Sequence, residues 1–194
     1  MWAGVSVLER ATAELVPIDT LKKWFAIEHD DDDAILAQML RGAIARIDGP
    51  DGIGYAMMRQ TWRKSLDCFS SCIHLPGAPV KGIRAVSYVD DAGELKTVNE
   101  DVYRLDADRE PARLTPAPGK SWPAAARVPG AVKVDYYLGE ENAAEVRADL
   151  IDAVTLIVGH RYQHREAASA GKVETLPLGV EWILNENARC AVSA

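Results

Sequence analysis

The stretch QTWRKSLDCFSSCIHLPGAPVKGIRAVSYVDDAGELKTV, Gln60–Val98, decides how this chain reads. It alternates loosely through Trp62, Lys64, Leu66 and Cys68, then gives a short apolar run at Ile73–Leu75. Pro76-Gly77 breaks that run, and the chain restarts after Pro79 with Ile83, Val86, Tyr88 and Val89. A turn at Asp90-Asp91-Ala92-Gly93-Glu94 leads to the return Leu95, Thr97, Val98. Short β-rich runs punctuated by Pro and Gly read as antiparallel strands and a hairpin.

Towards the C-terminus the same grammar continues less regularly. Val102, Tyr103 and Leu105 suit one strand and Ala112–Leu114 another. Pro116, Pro118, Gly119, Pro123, Pro129 and Gly130 mark a loop-rich passage around Trp122. Ala131–Leu138, with Val132, Val134 and Tyr136 alternating, reads as a strand that Gly139 ends.

On both flanks the period becomes helical. After Pro17, Ile18, Leu21, Trp24 and Phe25 fall on one helix face. The run Asp30–Asp33 precedes a stripe of Ile35, Leu36, Met39, Leu40, Ala43, Ile44 and Ile47, which Gly49-Pro50-Asp51-Gly52 stops. Carboxylates at a helix start cap free N–H groups, at about 0.5–2 kcal/mol for a cap. Val146, Leu150, Val154, Ile157 and Arg161 run down one face of a helix predicted over Ala143–Ala168. Gly171 releases a tail with an apolar cluster, Val180, Trp182, Ile183 and Leu184. Residues 1–16 carry no strong signal. The expected fold is α+β: mainly a helical bundle frame (17–58 and 143–170), an inserted antiparallel β-rich module (60–138), and a C-terminal docking tail (171–194).

The chain of 194 residues is long enough for one domain with a substantial core. Its 48% hydrophobic and 26% charged content suits a soluble globular protein. A net charge of -7 argues against a surface built to grip nucleic acid. Three cysteines give no disulfide framework, which fits a reducing compartment. No apolar run approaches the roughly 20 residues a membrane helix needs. The start, Met1-Trp2-Ala3-Gly4, lacks the layout of a signal peptide, so a cytoplasmic origin is expected.

Three constellations invite a chemical reading. His160 and His164 share a helix face as zinc ligands can, but His-Arg-Tyr-Gln-His lacks the glutamate of a metalloprotease helix. Arg161 and Arg165 disfavour a nearby cation, and a solvated helix end explains all four cationic groups. Cys68, Cys72 and His74 have loose metal-like spacing with no further ligand pair, and Cys190 is isolated. A calcium loop counted from Asp30 would need glycine and glutamate where Ile35 and Arg41 stand. Nucleophile-elbow, phosphate-loop and dinucleotide fingerprints are missing from the sequence. The expectation is therefore no catalysis, no cofactor and no metal. The rival is a metal-dependent hydrolase using His160 and His164, and a third reading is a protein–protein module unrelated to virions.

The order of features is more specific than any single one. Leu21-Lys22, the acidic run before Ile35-Leu36, Gln60-Thr61-Trp62-Arg63, Leu75-Pro76 with Pro79-Val80, and Val86, Tyr88 and Asp90 with Gly93 come first. Tyr103, Ala112-Arg113-Leu114, Trp122-Pro123, the Val132–Tyr136 strand and a long helix ending Tyr162, Arg165 and Glu166 follow. This order resembles the head–tail connector (adaptor) proteins of tailed bacteriophages, the family with a gp6-like fold, also found in gene transfer agents. The likeness covers roughly residues 17–168. It departs at Gly49–Gly54, where the family commonly has a Thr-Gly-containing turn. The resemblance implies a structural virion protein at the head–tail interface, assembled in the host bacterial cytoplasm. It further implies a homo-oligomeric ring, dodecameric, bound under the portal protein and continuing the DNA channel to a stopper or tail-completion protein. Double-stranded DNA would pass the lumen without specific binding, since an acidic wall repels phosphate. Family adaptors engage the portal with their C-terminal region, which implies portal contacts at Val180, Trp182, Ile183 and Leu184. No membrane partner is implied.

Overall fold

The computed structural model describes residues 4–164 and 178–189. Along the chain come β1 (Val5–Glu9), α1 (Ile18–Phe25), α2 (Asp33–Ile47), β2 (Gln60–Leu66), β3 (Ile73–Leu75) and β4 (Val80–Val89). Then follow β5 (Leu95–Thr97), β6 (Tyr103–Asp106), β7 (Ala112–Pro116), β8 (Val132–Leu138), α3 (Ala148–Gln163) and α4 (Leu178–Asn187). The strands build a five-stranded antiparallel sheet in the order β1-β2-β8-β4-β5 and a three-stranded sheet in the order β3-β7-β6.

β8 lies at the centre of the larger sheet because its alternation is complete. Val132, Val134, Tyr136 and Leu138 are all buried, while Lys133, Asp135 and Tyr137 take the other face. Its register with β2 sets Trp62 opposite Tyr136, and the two rings meet edge to face at 6.5 Å. The smaller sheet adds Ile73, Leu75, Ala112 and Leu114 to this apolar face, so the two sheets share one core. On the opposite face Arg63 donates two hydrogen bonds of 2.7 Å to the Asp135 carboxylate.

Gly77 shows how tightly that core closes. Its φ is +88°, and a Cβ there would come 2.5 Å from Trp62 Cζ3 and 2.7 Å from Leu138 Cδ2. Only glycine meets both demands. Beside it, the Tyr136 hydroxyl donates to the Pro76 carbonyl at 2.9 Å, and burial pushes its pKa far above the ordinary range.

The helices form a second core. Leu36, Leu40, Ala43 and Ile47 of α2 face Leu150, Ala153, Val154, Ile157 and Val158 of α3, with Leu21 of α1 and Val180 of α4. Tyr55, Met57, Met58 and Ala78 join this cluster from the segments beside the sheets.

The expected helical bundle frame with an inserted β module is therefore corrected. Two antiparallel sheets carry a core of their own and constitute the body of an α+β fold, and the helices pack as a second cluster. β1 came from the stretch that carried no signal. Its alternation covers only Val5 and Val7 before a bulge between Val7 and Glu9 breaks the period. The predicted start of the long helix at Ala143 is also corrected: Ala143–Glu145 is a single 3-10 turn, and Val146 is extended at φ −67° and ψ 140°.

Candidate functional site

The residues that made the sequence distinctive are mostly structural joints. Asp48, just past α2, accepts a 2.8 Å bond from the Met57 N–H and another from the Gln60 side-chain amide. Gln60 Oε1 in turn accepts from Trp62 Nε1 at 2.9 Å. This relay ties the end of the helical core to the centre of the sheet core, which gives Gln-Thr-Trp its role. Burial raises the Asp48 pKa, and the bonds from Met57 and Gln60 partly oppose it.

The acidic run does not cap α2 with its side chains. Asp32 stands at the N-cap position with no side-chain cap bond. Lys22 of α1 instead pairs with Asp30 and, at 3.0 Å, with Asp33. The Tyr162 hydroxyl on α3 donates to Asp32 Oδ2 at 2.6 Å. The hydrogen bonds that Lys22 donates to Asp30 and Asp33 hold its ammonium above its ordinary pKa. The run is thus a clamp between three helices, a long-range partnership that local capping rules do not encode.

The four expected docking residues part company. Val180 is fully buried, and Ile183 and Leu184 pack half-buried against the helical core. Trp182 is 67% exposed. Two further ties hold α4 down. Asn187 Nδ2 donates to Asp149 Oδ2 at 3.0 Å, and the Arg189 N–H donates to the Ile53 carbonyl at 2.7 Å. Asp149 is held below its ordinary pKa: burial raises it, but bonds from Arg147 and Asn187 outweigh that.

The His160 and His164 rings lie 4.6 Å apart, and His164 Nδ1 sits 3.0 Å from the His160 carbonyl, which a protonated Nδ1 satisfies as donor. Cys72 Sγ lies 3.9 Å from His74 Nε2, and Cys68 is exposed. Among the described residues no three His, Cys, Asp or Glu side chains converge on a common point suited to a metal ion. Cys190 and Arg165 lie outside the described residues.

The outer face of the larger sheet is a lattice of opposite charges. Glu9 accepts from Thr61 Oγ1 at 2.9 Å and pairs with Arg84 at 2.6 Å, and Lys81 pairs with Glu140 at 2.6 Å. The Arg84 and Thr61 bonds hold the Glu9 carboxyl below its ordinary value. The sequence set Trp24 on the apolar face of α1 and Ile35 in the stripe of α2, but both are exposed, as are Leu156 on α3 and, at 67%, Leu95 on β5, which sequence reading missed. For Leu95 a signal existed, since it opens the return strand of a hairpin whose neighbours Glu94 and Lys96 are charged.

No family model matches the sequence, and no curated protein matches it. Solved structures do. A chain in the neck of a native gene transfer agent particle, computed with C12 symmetry, is similar at 28% identity and TM-score 0.68. A chain in the neck of the empty particle, computed with C6 symmetry, is similar at 23% identity and TM-score 0.76. A chain in the virion of the native particle gives 24% and 0.74. In all three the likeness covers 97% of this chain and 97% of the other. The chain therefore has the fold of a phage-like particle neck protein, shared over nearly the whole length of both partners.

Proposed function

We propose that this chain is a head–tail connector, or adaptor, subunit. Copies form a dodecameric ring beneath the portal of a tailed phage or gene transfer agent and continue the DNA channel to a stopper or tail-completion protein. The observation that carries the reading is the end-to-end likeness to a chain in a C12 particle neck at 28% identity. A whole-chain match of this kind supports the assembly role more than the fold class alone does, since folds are reused across functions.

The physical chemistry supports the same role. The net charge of -7 suits a wall past which DNA slides, because phosphate repulsion limits sticking. Among the buried polar residues, Gln60 serves the joint between the two cores through the Asp48–Gln60–Trp62 relay. Portal docking centres on Trp182, since Val180 is committed to the chain's own core. Burying one large apolar side chain contributes about 1.5–3 kcal/mol before ordering costs. Deleting the chain from a particle-producing strain tests the proposal: filled heads without tails are expected, and tailed, infectious or gene-transferring particles would refute it.

A further inference from the structure

We propose that the outward face of α4 is received by a partner surface in which cationic side chains flank an apolar slot, with Trp182 in the slot and Glu181 and Glu186 on its rim. The inference rests on the neck reading above and names the chemistry of the portal surface which that reading leaves open. α4 has two faces. Val180 and Asn187 are buried, and Ile183 and Leu184 pack half-buried on the helical core. Glu181, Trp182, Asn185 and Glu186 are exposed. Trp182 and Glu186 stand four residues apart, as do Glu181 and Asn185, so the four make two neighbouring stripes. A helix of ten residues does not hold itself in water, and α4 is fastened instead at its C-terminal end. Asn187 Nδ2 donates to Asp149 Oδ2 at 3.0 Å, the Arg189 N–H donates to the Ile53 carbonyl at 2.7 Å, and Arg189 pairs with Glu110 at 2.7 Å. The outward face is therefore preorganised, as a helix laid into a partner's groove needs to be.

The charge on that face has no counterpart within the described residues. Glu181 and Glu186 are the only charged residues of α4. The cations at its C-terminal end are already committed. Arg147 grips Asp149 through Nε at 3.1 Å and Nη2 at 2.7 Å, and Arg189 holds Glu110. Arg147 lies within electrostatic reach of Glu186, but its hydrogen bonds go to Asp149. Asp152, one turn on from Asp149 along α3, is exposed and of the same sign. Glu186 also stands in the last turn of α4, where the helix dipole disfavours a carboxylate. A partner with cations at that place would favour it. Phosphate would be repelled, so DNA is not the occupant. A wholly apolar groove would strip water from two carboxylates without return. An apolar slot with a cationic rim suits both Trp182 and its acidic neighbours, and rim pairs of this kind govern encounter rate and salt dependence.

The test mixes the full-length chain with portal-containing heads from a strain that lacks it, and follows uptake by sedimentation. Glu186→Lys is the decisive variant, because lysine in the last turn favours the helix dipole and a loss of binding is then not a loss of α4. It should keep the wild-type melting temperature and bind heads about tenfold more weakly at low salt. Glu181→Lys should act in the same direction. Raising salt from about 0.1 to about 1 M shortens the Debye length from about 10 to about 3 Å, and wild type and charge variants should converge there. Asn185→Ala, on the same face, should bind as the wild type does at both salts, and Trp182→Ala should bind at neither. Charge-reversed variants that bind as well as the wild type, or wild-type uptake that ignores salt, would overturn the cationic rim and leave the neck reading standing. A wild type that pairs with itself through Trp182 instead of joining heads would overturn the rim and the portal docking together. Copurification of the tagged chain with finished particles scores the neck reading separately, and its absence from them would sink that reading.

Discussion

Replacing Gly77 by alanine should be among the most damaging methyl additions the chain can receive. At φ +88° a side chain is strained by about 1–2 kcal/mol before any contact is considered. The new Cβ also lands 2.5 Å from Trp62 Cζ3, 2.7 Å from Leu138 Cδ2 and 3.0 Å from Trp62 Cη2. Trp62 and Leu138 are fully buried, so neither can swing aside, and overpacking adds about 1–3 kcal/mol. The total of roughly 2–5 kcal/mol corresponds to a loss of about 4–20 °C in Tm for a chain of this size. Gly93→Ala is the matched control: its φ is +82°, but nothing lies within 4 Å of the added Cβ. It should show the backbone strain alone. Calorimetry of the two variants isolates the steric part by difference. Equal losses in Gly77→Ala and Gly93→Ala would refute the packing of Trp62 and Leu138 over Gly77.

Other outcomes follow from the two cores and the joint between them. Leu40→Asp or Val154→Asp places a charge in the helical core and should leave the chain unfolded or insoluble; an unchanged melting temperature would show that α2 and α3 do not pack as described. Asp48→Asn sets an amide donor against the Gln60 amide, whose oxygen is committed to Trp62, and should cost about 1–3 kcal/mol. Because burial raises the folded pKa of Asp48, its proton-linked stability is full below the ordinary 3.8 and is lost as pH rises through the folded value. The gap in Tm between wild type and Asp48→Asn should therefore widen on acidification, and a gap that narrows would contradict the buried joint. Trp182→Ala should shift stability by less than about 0.5 kcal/mol yet abolish recovery of the chain with portal-containing heads. Val180→Asp should instead unfold α4 from α3, and equal melting of the two variants would refute the division of that helix.

Much of this was legible where a period was long enough to read. The Gln60–Leu66 and Val132–Leu138 strands and the α2 stripe appear nearly as their alternation and 3.6-residue spacing demand. What failed was the weighting. Long helical stripes announce themselves, whereas β1 speaks too briefly, and the short runs at β3 and β5, though legible as strands, reveal their sheets only through pairing. The C-terminal cluster carried a signal that was passed over. Val180, Ile183, Leu184 and Asn187 recur at helix-face spacing, and all four turn towards the core, while Trp182 falls off that face. The clamp of Lys22 on Asp30 and Asp33 depends on tertiary arrangement, and no local pattern contains it.

The most direct test of the central claim is cryo-electron microscopy of tailed particles from a strain carrying this chain. The account predicts a twelvefold ring of this subunit at the head–tail junction, with Trp182 turned towards the portal. A neck whose density is filled by other chains, with this one absent, would contradict it.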